Sequence, residues 1–140
     1  MIKEGLAVLM GCLTTPTLIA ATLSVLVSFS MPTNLLEETL KESSRLGIPV
    51  YLNGLYHDSI EDSALKIMAL SKHVPNLNLQ IDPTIFERFG ITEVPALIAD
   101  NGATFDVIYG HLPIKEGLAR MAGRGDSGLS VLEVRRITGD

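Results

Sequence analysis

Phe89-Gly90-Ile91-Thr92-Glu93-Val94-Pro95-Ala96-Leu97-Ile98-Ala99-Asp100-Asn101-Gly102 is the stretch whose reading decides the fold. Gly90 supplies the φ freedom that a helix wants just past its last turn. The helix it ends begins at Asp82, whose side-chain oxygen can cap it, and at Pro83, which suits a first helical position because no backbone N–H is needed there. Val94-Pro95 opens a strand, Ala96 to Asp100. Asn101-Gly102 is a strong two-residue hairpin signal, so the next strand, Thr104 to Tyr109, should run antiparallel beside it. Pro113 then starts a closing helix with Ile114, Leu118 and Met121 on one face.

Upstream, Leu23 to Phe29 is rich in apolar and β-branched residues and reads as a buried central strand. Ser30-Met31-Pro32-Thr33 turns it into a helix running to about Leu46. Its apolar side is Leu35, Leu36, Leu40 and Leu46, while Glu37, Glu38, Lys41, Glu42 and Arg45 read as largely outward. Ile48 to Leu52 follows as a second strand, parallel to the first because a helix intervenes, and Pro49 at its start suggests an edge. Asp58-Ser59-Ile60-Glu61 has the spacing of an N-cap with a reaching-back Glu, followed by a helix with Ala64, Ile67, Met68 and Leu70. Leu77 to Ile81 is a short extended segment leading to Asp82. The organisation is then an apolar N-terminal segment over residues 1–22, one domain over 23–122, and a tail over 123–140 whose final apolar segment has no settled type.

Residues 1–22 combine a charged start, an apolar run and small residues at Ala20-Ala21. They read as an export signal or an anchor, with an amphipathic helix packed on the sheet as the alternative. Leu9-Met10-Gly11-Cys12 also sketches a lipoprotein acylation box. A membrane is a partner only if this segment acts as signal or anchor.

At 140 residues the chain has room for a single core. Its formal net charge is −5, with Lys and Arg scattered, so it carries no footprint for gripping nucleic acid directly. Its one cysteine, Cys12, cannot close an intramolecular disulfide. His57, His73 and His111 stand apart with no metal-ligand spacing. Asp58, Glu61, Asp62 and Asp82 read as helix-capping and first-turn charges. Ser30 has no adjacent base to make it a nucleophile. No catalytic, cofactor or metal residue is assigned, and the chain is not read as an enzyme.

The order helix, X-Pro, strand, Asn-Gly turn, strand, helix is similar to the C-terminal half of a thioredoxin-like fold. The resemblance implies an α/β domain with a central mixed sheet of about four strands flanked by helices. The helix after the second strand is an addition to that plan. In such folds the proline opening the strand is cis, and its loop faces the turn at the start of the first helix. A thioredoxin-type oxidoreductase needs two thiols in that turn, where the helix dipole lowers the attacking thiol's pKa. Here the turn is Phe29-Ser30-Met31-Pro32-Thr33-Asn34, without a cysteine.

A narrower resemblance rests on several motifs in order: Val27-Ser28-Phe29-Ser30-Met31-Pro32, Gly47-Ile48-Pro49, Leu52-Asn53-Gly54-Leu55, Gln80-Ile81-Asp82-Pro83-Thr84-Ile85-Phe86, Phe89-Gly90-Ile91, Val94-Pro95-Ala96-Leu97 and Asp106-Val107-Ile108-Tyr109-Gly110. Together these resemble the TrbC-type pilus-assembly proteins of F-type conjugative transfer systems, from about Leu23 to Ala122. The resemblance implies a periplasmic, non-redox component of a type IV secretion machine. Its implied partners are the TraW-type assembly protein and other periplasmic components. The expected partner or peptide surface is Ser30, Met31, Pro32, Val94 and Pro95. Met31 is expected there as an adaptable apolar contact, or else as a residue closing the core. The alternative function is a redox-inactive, isomerase-like chaperone that holds extended peptides at the proline loop.

Overall fold

The structure is a computed structural model and describes residues 21–140. The export or anchor reading of the N-terminal segment, and Cys12 with it, therefore lies outside the described residues. A five-stranded mixed sheet carries the domain. Its strands are β1 (Thr22–Val27), β2 (Val50–Leu52), β3 (Leu79–Ile81), β4 (Ala96–Asp100) and β5 (Phe105–Tyr109). The helices are α1 (Thr33–Leu46), α2 (Ile60–Ser71), α3 (Pro83–Arg88), α4 (Ile114–Met121) and α5 (Val131–Thr138).

The spatial order β3-β2-β1-β4-β5 places β1 at the centre. β1 runs parallel to β2, as the intervening helix led one to expect, and antiparallel to β4, which leaves it central. Alternation along β1 sends Val25 and Val27 to one face and Leu26 to the other, and all three are buried. Val25 and Val27 pack with Leu36 and Leu40 of α1, Leu70 of α2, Leu118 of α4 and Val134 of α5. On the opposite face Leu26, Ala96 and Ile98 lie under Phe86 of α3 and the following Ile91.

Five strands replace the expected four because the extended segment before Asp82 pairs with β2 through Val50–Leu79 to Leu52–Ile81 and becomes the edge. Strand β2 is consequently interior, against the reading of Pro49 as an edge marker. Pro49 precedes the ladder, which begins at Val25–Val50, and its carbonyl still accepts the Val25 N–H at 3.0 Å. The proline therefore removes no ladder hydrogen bond.

Three local readings shift. Helix α2 is capped by Ser59 rather than Asp58, with the Asp62 N–H donating to Ser59 Oγ at 3.0 Å. The β4–β5 hairpin closes on Asn101 and Thr104, the Asn101 N–H donating to the Thr104 carbonyl at 3.1 Å. Gly102 is then the first central residue, at φ 93°, the position where a type II′ turn wants glycine. Glu42, expected outward, instead turns to the start of α4, where its two carboxylate oxygens accept the Ile114 and Lys115 N–H groups at 2.8 and 3.1 Å.

The core also reaches beyond Ala122. Ser130 caps α5, accepting the Glu133 N–H at 3.1 Å, and Leu129 and Val134 on either side of that cap are buried in the main core. This is a side-chain N-cap with a hydrophobic staple, the Ser130 hydroxyl also meeting the Glu133 carboxylate at 3.3 Å, so the unsettled final segment is a helix.

Candidate partner-docking surface

The turn that follows β1 is closed by its own groups. The Ser28 N–H donates to Met31 Sδ at 3.4 Å, and the Met31 N–H returns to the Ser28 carbonyl at 3.2 Å. Ser30 N–H donates to Ser28 Oγ at 3.1 Å, and the two serine hydroxyls stand 2.8 Å apart. Pro32 sits at the N-cap of α1 with φ −52°, and its carbonyl accepts the Leu36 N–H at 3.0 Å. Among the described residues the two serine hydroxyls are hydrogen-bonded to each other and to no base, so what the turn presents is hydrogen-bonding groups.

The Val94-Pro95 peptide is cis. The Pro95 carbonyl accepts the Gly110 N–H at 3.0 Å, which ties the loop before β4 to the end of β5. Between this loop and the Ser28–Ser30 turn lies a depression of about 410 Å³, lined by Ser28, Ser30, Asn53, Phe86, Ile91, Thr92 and Val94.

The structure thus brings Ser30 and Val94 to one depression, leaves Pro32 exposed at the helix start, and sends Met31 and Pro95 elsewhere. Met31 is only 8% exposed, and its side chain turns beneath the turn into the core, beside Leu36 and Leu70. Of the two expectations for this residue, its burial fits the core-closing one. Its thioether, a weak acceptor held by the Ser28 N–H, fixes it there. Pro95 lines a separate cleft toward α1 and α4.

An aromatic flank extends the surface past the turn. The Phe29 and Tyr56 rings meet edge to face at 5.4 Å, the His57 ring stacks on Tyr56 at 3.8 Å, and Lys66 Nζ stands 5.0 Å from the Tyr56 ring centre. His57 and Asp58 both take left-handed backbone, φ 55° and 53°, which is uncommon for residues with a Cβ. Asn53, Thr92 and Tyr56 belong to this surface and were not singled out from the sequence as site residues. The Leu52-Asn53-Gly54-Leu55 motif marks the segment, but nothing in it says which way Asn53 faces.

A parallel-to-antiparallel sheet entered through a cis-proline loop facing a helix-starting turn defines the class: this is a thioredoxin-like fold. It resembles MTB DsbF, solved in mixed oxidized and reduced forms, with a TM-score of 0.53 and 16% identity, covering 87% of this chain and 81% of that one. StoA from Bacillus subtilis superposes with a TM-score of 0.51 at 10% identity, covering 72% of this chain and 81% of that one. Within that class the chain belongs to the family of Type-F conjugative transfer system pilin assembly proteins, whose model matches residues 25–131. It is 36% identical over 100 residues to Periplasmic protein TrbC of Escherichia coli (strain K12), a match spanning 71% of this chain and 47% of that protein. The chain thus spans about half the length of that relative.

Proposed function

We propose that this chain is a non-enzymatic, periplasmic component of its conjugative transfer system, supporting pilus assembly by docking a TraW-type assembly protein at the Ser30–Val94 surface. The observation that carries the reading is the turn from Ser28 to Thr33. It occupies the place where a thioredoxin-type oxidoreductase keeps its thiols, and it holds two serines hydrogen-bonded to each other instead. A hydroxyl neither ionises near neutrality nor forms a disulfide, so what remains of the site is its shape and its polar groups. Membership of a pilin assembly family and similarity to a relative named for the periplasm support the setting.

Thiol chemistry and docking separate in one complementation experiment. Cells lacking the protein, supplied with the Cys12→Ser chain, should assemble pili as with the unaltered chain, and the purified protein should not speed reduction of insulin. Loss of pili with Cys12→Ser, together with insulin turnover by the unaltered chain, would overturn the non-redox reading.

A further inference from the structure

The helix-bearing face of the sheet is not filled edge to edge. Between α1 and α4, beneath the loop that joins β5 to α4, lies a cleft of about 170 Å³. Its floor is apolar, built from Leu35 of α1, Pro95 and Leu97 at the start of β4, and Ile108 of β5. That size suits one amino-acid side chain rather than a larger organic ligand. Gly117 on α4 forms part of the wall: a Cβ there would stand 2.8 Å from Leu97 Cδ2, so glycine lets the helix backbone lie over the floor without displacing that side chain.

The rim has a sign. Glu38 and Glu42 stand on it with His111, and among the described residues no lysine or arginine lines the cleft. Glu42 is committed to the first turn of α4 through both oxygens. Glu38, four residues earlier on the same helix, is exposed and enters no ion pair among the described residues. The nearest cation in sequence to the α4 wall, Lys115, has its amino group 2.5 Å from an Asp140 carboxylate oxygen. An apolar hole one side chain wide, beside a carboxylate that is unpaired among the described residues, complements an apolar residue with a cation next to it.

We propose that this cleft receives one apolar side chain of a partner-protein segment that carries a lysine or arginine immediately beside it. The cleft is distinct from the Ser30–Val94 depression: the Val94-Pro95 peptide separates them, Val94 lining one and Pro95 the other. The inference stands whether or not that depression docks a partner.

The test is an ¹⁵N-resolved NMR titration of the full 140-residue chain with acetyl-Leu-Lys-amide, acetyl-Leu-Glu-amide and acetyl-Gly-Lys-amide. The Leu-Lys probe should shift the amides of Ile108, Gly110, His111 and Gly117 saturably. The Leu-Glu and Gly-Lys probes should bind more weakly or not at all. Glu38→Gln, an exposed change that leaves the melting temperature alone, should weaken the Leu-Lys probe by about two- to fivefold, the scale of a surface ion pair. Absence of saturable shifts at these amides, equal binding of the Leu-Glu probe, or indifference to Glu38→Gln would overturn the proposal. So would shifts of the same amides on diluting the protein without a probe, since a second copy of this chain would then be the occupant.

Discussion

Asp106 is the residue on which the C-terminal segment hangs. Its carboxylate oxygens accept the Asp126 and Ser127 N–H groups at 2.8 and 2.9 Å, and the Gly125 backbone lies so close that no Cβ would fit. Partial burial pushes its pKa up, but hydrogen bonds from the Ser127 side chain and from the Ser127 and Asp126 backbone outweigh it, so the folded value lies below the ordinary one. A carboxylate depressed in this way contributes stability that is fully present above the unfolded pKa, near 4, and is lost as the pH falls through the lower folded value. Asp106→Asn should cost about 1–2 kcal/mol at neutral pH. It should also remove this residue's share of the loss between pH 4 and the folded pKa, read by urea unfolding at stepped pH. Asp106 stood in one of the family motifs, yet its role was not legible there. A carboxylate on a strand identifies no partner, and its partners lie 20 and 21 residues further on. Met31 stayed open between contact and core for a related reason: a residue in a turn has no periodicity to assign it a face, and the Ser28 N–H that orients it is an ordinary backbone group.

At the scale of elements, the helices are set by end groups as much as by their apolar faces. Apolar spacing was enough to find α1 and α4 and to place Leu36, Leu40, Leu118 and Met121 inward, as they are. It misjudged Glu42, because the helical period predicts only which side is polar, and the group that this carboxylate serves is 72 residues away in sequence. Helix α4 has Pro113 at its N-cap, which offers no side-chain cap, so the Ile114 and Lys115 N–H groups depend on Glu42. Glu42→Ala should therefore destabilise the domain by about 0.5–2 kcal/mol, the range of a lost N-cap, whereas Glu42→Gln should recover part of it. Equal melting temperatures for Glu42→Ala and the unaltered chain would show the contact to be idle. Helix α5 carried a readable signal, Ser130 three residues before Glu133 with Leu129 and Val134 flanking the cap. Its shortness and the glycine-rich loop before it hid that signal.

Across the whole molecule, a few sequence features with long reach set how strands are paired. The intervening α1 sets β2 parallel to β1 and the Asn101-Gly102 turn sets β5 beside β4, while the placing of β1 between β2 and β4 is what the resemblance to a thioredoxin-like fold implies and what the sheet shows. Val27 is fully buried, so Val27→Asp would place an unpaired charge in the core at a cost of several kcal/mol, and the chain should lose its cooperative thermal transition. The fold was legible because strand pattern, proline and turn residues all act locally and agree. The surface was legible only as two loops, one at Ser30 and one at Val94. Which of their side chains reach a common depression depends on how the sheet holds the loops, and that has no signature in either stretch. Docking of an assembly partner by those loops, as proposed, is measured directly by the affinity of the purified chain for the TraW-type protein with and without Ser30→Arg. Ser30 is exposed, so the variant should keep its melting temperature. We predict that it binds at least about tenfold more weakly, a loss of roughly 1.4 kcal/mol; unchanged affinity in a folded Ser30→Arg chain would contradict the account.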